Sequence, residues 1–108
     1  MARELTLIID SRSTLVPVPD EVITGGQDFF AMMDRDMSKG WKVGPEYIDA
    51  PDQDTRIKIV ADRLMAALEA EKKQLSDLLA GYIVVRDPQI KALRMDMNGE
   101  PLNTEIIR

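Results

Sequence analysis

Leu5, Leu7 and Ile9 alternate with Glu4, Thr6, Ile8 and Asp10, a period of two that predicts a short strand with one well-buried face and one partly covered. Asp10 to Ser13 supplies turn residues. Thr14 to Val18 reads as a second extended segment, but Pro17 and Pro19 each remove a backbone donor, which places it at a sheet edge or in an extended arm. Residues 1–20 are thus an N-terminal strand or arm.

From residue 25 to 39 the period lengthens. Phe29, Phe30, Met33 and Met37 share one side of a helix, while Asp28, Asp34, Arg35 and Asp36 are assigned to the solvent side. Thr24 with Gln27 has the spacing of a capping box, and Gly40 follows the last turn where a left-handed residue ends a helix. Residues 40–50 carry too many breakers for a helix and too little alternation for a strand. They read as an ordered connector held to the core by Trp41, Val43, Tyr47 and Ile48.

Residues 51–86 contain no proline after Pro51 and one glycine, Gly81. Ile57, Ala61, Leu64 and Leu68 form an apolar stripe at spacings of three and four, resumed by Leu75, Leu78, Leu79 and Tyr82 after a charged gap. Asp49 or Asp52 can cap the start, with Pro51 in the first turn. Asp52 with Arg56, Asp54 with Lys58, and Glu69 with Lys73 are acid-before-base pairs four apart on the water-facing side. Strong helix formers from Glu69 to Gln74 favour one continuous rod of about 54 Å. A domain of this length is only about 25 to 30 Å across, which favours two helices folded back near Glu71.

Asp87-Pro88 ends the helical region. Asn98-Gly99 is a two-residue hairpin signal, and a type I′ turn there predicts a hairpin over 90–107. The register pairs Met97 with Glu100, Met95 with Leu102, Leu93 with Thr104 and Lys91 with Ile106. Leu93, Met95, Met97, Leu102 and Ile106 then share one face, and Arg94 reaches Glu105 diagonally on the other. The apolar face must pack on the helices, alongside the strand from Glu4 to Asp10. The expected architecture is one α+β domain over 1–108. It is predominantly helical, with three helices of which the second and third could be one, a short N-terminal strand and a C-terminal β-hairpin.

Composition narrows the function classes. The chain has 108 residues, 44% hydrophobic and 31% charged, as in a folded soluble protein. Its net charge of −5, with no basic run longer than Lys72-Lys73, disfavours nucleic acid and anionic membrane surfaces as partners. No stretch has the length of a membrane span and the N-terminus is no signal peptide, so the expected location is cytoplasmic. Cysteine and histidine are both absent, which removes disulfides, thiolate nucleophiles, the usual zinc ligands and the common nucleophile-base pairs.

The remaining motifs carry little chemistry. Met32, Met33, Met37, Met95 and Met97 could bind a soft metal, but without Cys or His they are better read as packing. Asp96, Asn98, Glu100 and Glu105 fail the calcium-loop spacing, since Pro101 and Ile107 occupy its glycine and bidentate-acid positions. Gly25-Gly26 lacks the lysine of a phosphate loop. The paired acids Asp34 with Asp36 and Asp52 with Asp54 read as solvated. No catalytic residue, metal ligand or cofactor is nominated.

Phe29, Phe30, Trp41 and Tyr47, four of the five aromatic residues, fall within nineteen positions next to methionines. Aromatics and methionine are common at interfaces and in small cores alike. With Met33, Met37, Leu75, Leu79 and Tyr82 they are the candidate contacts with a partner or ligand. The leading expectation is a small non-catalytic interaction protein, an accessory or regulatory subunit that docks or homo-oligomerises through apolar helix faces. A module binding a small apolar or aromatic ligand between the first helix, Trp41 and the hairpin is second. A small enzyme without His or Cys chemistry is third.

Overall fold

The alternating start of the chain forms β1 (Arg3–Ile9), which returns antiparallel as β2 (Arg12–Val18). Ile9 pairs with Arg12, leaving a two-residue loop whose Asp10 is left-handed at φ 59°. A positive φ there matches the twist of the strands, and aspartate tolerates it. This computed structural model describes residues 3–96, 98 and 100–108.

Residues flanking such a loop exchange both backbone bonds, so the backbone groups of Leu5, Leu7 and Ile9 serve β2 and those of Thr6 and Ile8 serve the other side. The Thr6 N–H donates to Lys91 O at 3.3 Å, and the Met95 N–H to Ile8 O at 2.8 Å. Ala92–Arg94 is β5, parallel to β1, and it pairs antiparallel with β6 (Glu105–Ile107). The sheet order is β2-β1-β5-β6. β2 is an edge strand, as its prolines require, and the same alternation turns Ser13, Leu15 and Pro17 outward. Pro17 therefore costs the β1–β2 ladder no hydrogen bond.

The first helical region is two helices, α1 (Asp20–Gly25) and α2 (Gln27–Ser38). Thr24 lies inside α1, so the Thr24–Gln27 capping box does not form, and the Gln27 amide donates to Ile23 O at 2.7 Å. Gly26 makes the joint because a Cβ there would lie 2.6 Å from Val22 O and 2.9 Å from Phe30 Cζ. Gly40, at φ 102°, follows the last turn as expected. The 40–50 connector does contain strands: β3 (Trp41–Val43) and β4 (Glu46–Ile48) form a two-stranded hairpin around Gly44-Pro45.

Residues 51–86 are two helices, α3 (Gln53–Glu69) and α4 (Lys73–Arg86). Asp52 caps α3 by accepting the Thr55 N–H at 2.8 Å, and Pro51 sits just before the cap and outside the first turn. No glycine makes the break. Glu71 takes the left-handed conformation at φ 58°, with its N–H on Leu68 O at 3.1 Å and the Lys72 N–H on Ala67 O at 2.9 Å. This is the Schellman pattern, normally a glycine's. Principal extents of 37 × 34 × 27 Å would not contain a 54 Å rod.

The three anticipated ion pairs give way to others, two of them long-range and one again four residues apart. Arg56 goes to Asp34, Asp54 to Arg108 and Lys73 to Asp77, while Lys58 donates to Leu102 O at 3.1 Å. The C-terminal hairpin also differs: Leu93 pairs with Ile106 and Arg94 with Glu105, a slip of two residues from the expected register. Pro101–Asn103 forms a 3-10 turn that shortens the ladder. An even slip preserves the faces. Leu93 and Met95 are buried and Leu102 and Ile106 pack on the core, while Arg94 meets Glu105 directly at 2.6 Å. The expectations for Met97 and for the Asn98-Gly99 turn involve residues outside those described.

Helices cover one face of the sheet. Leu5, Leu7, Val16, Val18 and Leu93 point to that side and are buried with Ile57, Val60, Leu64, Leu79 and Ile83. Arg3 ties β1 to the end of α4, its guanidinium donating to Val84 O at 3.1 Å and Pro88 O at 2.9 Å. These are carbonyls at or beyond the last turn, where a cation is favoured. About half the described chain is helical, so it is an α+β fold but less helical than expected.

Candidate functional site

Phe30, Met33, Met37, Leu79 and Tyr82 are core residues, all 2% exposed or less. Phe30 stacks edge-on between Phe29 and Tyr82, at 6.3 Å from each ring. Phe29, Trp41 and Leu75 are partly buried against this core, and Arg63 lies 6.0 Å over the Trp41 ring. Tyr47, expected to pin the connector, is instead 63% exposed, its hydroxyl donating to Lys39 O at 2.9 Å. The structure therefore gathers most of the nine candidates inside the fold. Folding has already used the apolar helix faces.

Beside that core stands a polar cluster absent from the sequence reading. Asp34, assigned to the water-facing side of α2, meets α3 and α4 instead. Its Oδ1 accepts from the Tyr82 hydroxyl at 2.5 Å and from Arg56 at 3.2 Å, and its Oδ2 accepts from Arg86 Nε at 2.8 Å. Arg86 also lies 5.4 Å over the Tyr82 ring. Burial pushes the Asp34 pKa up, but the bonds from Tyr82 and Arg86, the Arg86 charge and the Arg56 bond outweigh it and leave it below the ordinary value. Burial, then the Asp34 bond and charge, push the Tyr82 phenol well above its usual range. A tyrosine so held stays protonated and a carboxylate so saturated stays ionised. The cluster is suited to joining three helices, not to exchanging protons.

The outer end of the sheet carries the most open apolar surface. Two clefts, about 280 and 450 Å³, share Thr14 and Leu68 and form a groove between the β1–β2 hairpin and the α3–α4 joint. Leu7, Ile9, Leu15, Val16 and Met65 line it. The cleft at Trp41, where a ligand was expected, is only about 60 Å³.

On the sheet face opposite the helices Leu15 is exposed, Thr6, Ile8 and Ile107 are half-buried and Ala92 is buried. The strand registers align Leu15, Thr6, Ala92 and Ile107 as one row across it, and Ser13, Ile8, Arg94 and Glu105 as the next. Ile8, Leu15 and Ile107 lie outside the core cluster, and Leu15 is 57% exposed. Sequence alternation predicted the strand but not which elements would cover each side.

A fourth cleft, about 350 Å³, lies between α3 and β6 and is lined by Asp54, Lys58, Thr104 and Arg108. Arg108 bridges Asp54 at 2.7 Å and the buried Asp87 at 2.8 Å, and the Asp54 bond raises its already high pKa. Thr104, 2% exposed, has a buried hydroxyl with no hydrogen-bond partner among the described residues. Among the described residues no group of three or more acidic side chains converges as a metal site, and no helix is long and apolar enough to cross a membrane. Comparison of the chain with protein-family models, with curated proteins and with solved structures returned no match.

Proposed function

We propose that this is a small non-catalytic interaction protein, an accessory or regulatory subunit whose contacts are made by its sheet. The observation carrying this reading is the sheet face opposite the helices, where the exposed Leu15 and the half-buried Thr6, Ile8 and Ile107 lie outside the core around a buried Ala92, ending at the β2 edge. Docking moves from the helix faces to the sheet because the helix stripes are spent on the core. The strongest acid-base cluster, around Asp34, is saturated with internal bonds, which favours binding over catalysis. Affinity capture from native lysate tests the reading. The wild-type chain should retain a partner, or a second copy, that Ile8→Lys/Leu15→Lys loses while keeping its thermal midpoint. Identical capture by both proteins would contradict it.

A second reading has its own observation, the apolar groove at the hairpin and the α3–α4 joint. Its size suits a small apolar or aromatic ligand. An environment-sensitive dye that binds wild type and is displaced from Leu68→Glu would support that reading, and no binding by either protein would remove it.

A further inference from the structure

We infer that β2 is a self-association edge, on which two copies pair antiparallel about Leu15 and join their sheets into one. This rests on the interaction reading above and names the partner as a second copy of the chain. Residues Arg12 to Leu15 and Pro17 are exposed and no strand pairs with this edge among the described residues; the α3–α4 joint stands beside it across the groove. Its outward groups are the N–H of Ser13 and Leu15 and the carbonyls of Ser13, Leu15 and Pro17.

A two-fold axis at Leu15 pairs Leu15 with its counterpart and Ser13 with Pro17 of the other copy. Every outward N–H then meets a carbonyl: Leu15 donates to Leu15, and Ser13 donates to Pro17. Only the Ser13 carbonyls lack a donor, because Pro17 has none, and these lie toward the seam's ends. Centring the axis on Pro17 leaves no donor at the middle. Centring it on Thr14 pairs Ser13 with Leu15 but opposes Pro17 to Ser11 of the turn, and centring it on Ser13 opposes Leu15 to Ser11, so only Leu15, the midpoint of β2, keeps all of Arg12–Val18 in the seam.

Charge selects the same arrangement. Antiparallel pairing sets Arg12 opposite Val18 of the other copy, toward Glu21 in the first turn of its α1. Parallel pairing would set Arg12 against Arg12. The seam also covers the Leu15 side chain and extends the apolar row of the sheet face opposite the helices across both copies.

The absence of cysteine allows a clean test on the full chain. Two residues in a hydrogen-bonded antiparallel pair have Cα atoms about 5.5 Å apart, inside the range a disulfide spans. Leu15→Cys should therefore oxidise to a covalent dimer at least about tenfold faster than Ser13→Cys, whose thiols lie about 13 Å apart along the strands. Wild type should sediment as a dimer at roughly 100 μM. Leu15→Pro, which deletes an outward N–H but none in the β1–β2 ladder, should be a monomer with an unchanged circular dichroism spectrum.

Equal oxidation rates for the two cysteine variants, or a wild-type monomer, would overturn self-pairing. So would a dimer that survives Leu15→Pro. If a wild-type monomer still captures a partner from lysate through Ile8 and Leu15, self-pairing falls and the interaction reading stands. If capture fails as well, both fall.

Discussion

The Tyr82 hydroxyl donates to Asp34 Oδ1 at 2.5 Å, joining a fully buried ring on α4 to a carboxylate on α2 that also holds Arg56 of α3 and Arg86. Removing the carboxylate leaves two guanidinium groups adjacent and a buried phenol unpaired. Asp34→Ala should cost about 2–3 kcal/mol in urea unfolding, and Tyr82→Phe about 1–2 kcal/mol. The double variant should lose less than the sum, since both changes break one network. Additive losses would show that the two groups act independently.

The same cluster sets an acid limit. Because the folded state lowers the Asp34 pKa, its contribution is complete above the unfolded carboxylate value and disappears as pH falls through the lower folded one. The thermal midpoint should drop below about pH 4, and less steeply in Asp34→Asn. The raised Tyr82 pKa gives the opposite limb, present below the ordinary tyrosine value and lost as pH rises beyond it. Phenolate absorbance from Tyr82, taken as the difference from Tyr82→Phe, should emerge only with alkaline unfolding.

Glu71 occupies a left-handed position at the C-terminus of α3, where a side chain is strained and a negative charge opposes the helix dipole. Glu71→Gly should stabilise the protein by about 1 kcal/mol, read as a higher urea midpoint at unchanged slope. Destabilisation would mean that the glutamate makes a contact worth more than its strain.

Thr104 buries a hydroxyl without a partner among the described residues, and such a group opposes folding by its lost hydration. Thr104→Val keeps the branched shape and should be neutral or stabilising by up to about 1 kcal/mol. A loss above that size would show that the hydroxyl is satisfied in solution.

Local pattern made several elements legible. Alternation marked β1, the prolines marked β2 as an edge, and Asp52 and Gly40 marked helix limits, because each signal acts within a few residues. The C-terminal register was legible in its faces but not its pairs: the 3-10 turn at Pro101–Asn103 moved it by two positions, and an even slip leaves alternation intact. The candidate contacts are legible as apolar helix residues together with Trp41 and Tyr47 of the connector, and the pattern does not say whether they face a partner or the chain itself.

Sequence by itself determined the type of the longer elements, most of their apolar faces, and the absence of Cys and His chemistry, but not the short strands β3 and β4 or the place of Asp34. Tertiary structure decided what covers each face. Leu79 through Val84 are all buried because α4 is packed on several sides, an arrangement that no helical period announces. Asp34 became a junction because the donors on α3 and α4 converge there across 22, 48 and 52 residues of chain. The Glu71 break, against its local propensity, arises because folding α4 back on α3 buries two apolar stripes at once, and that gain exceeds the cost of one left-handed residue.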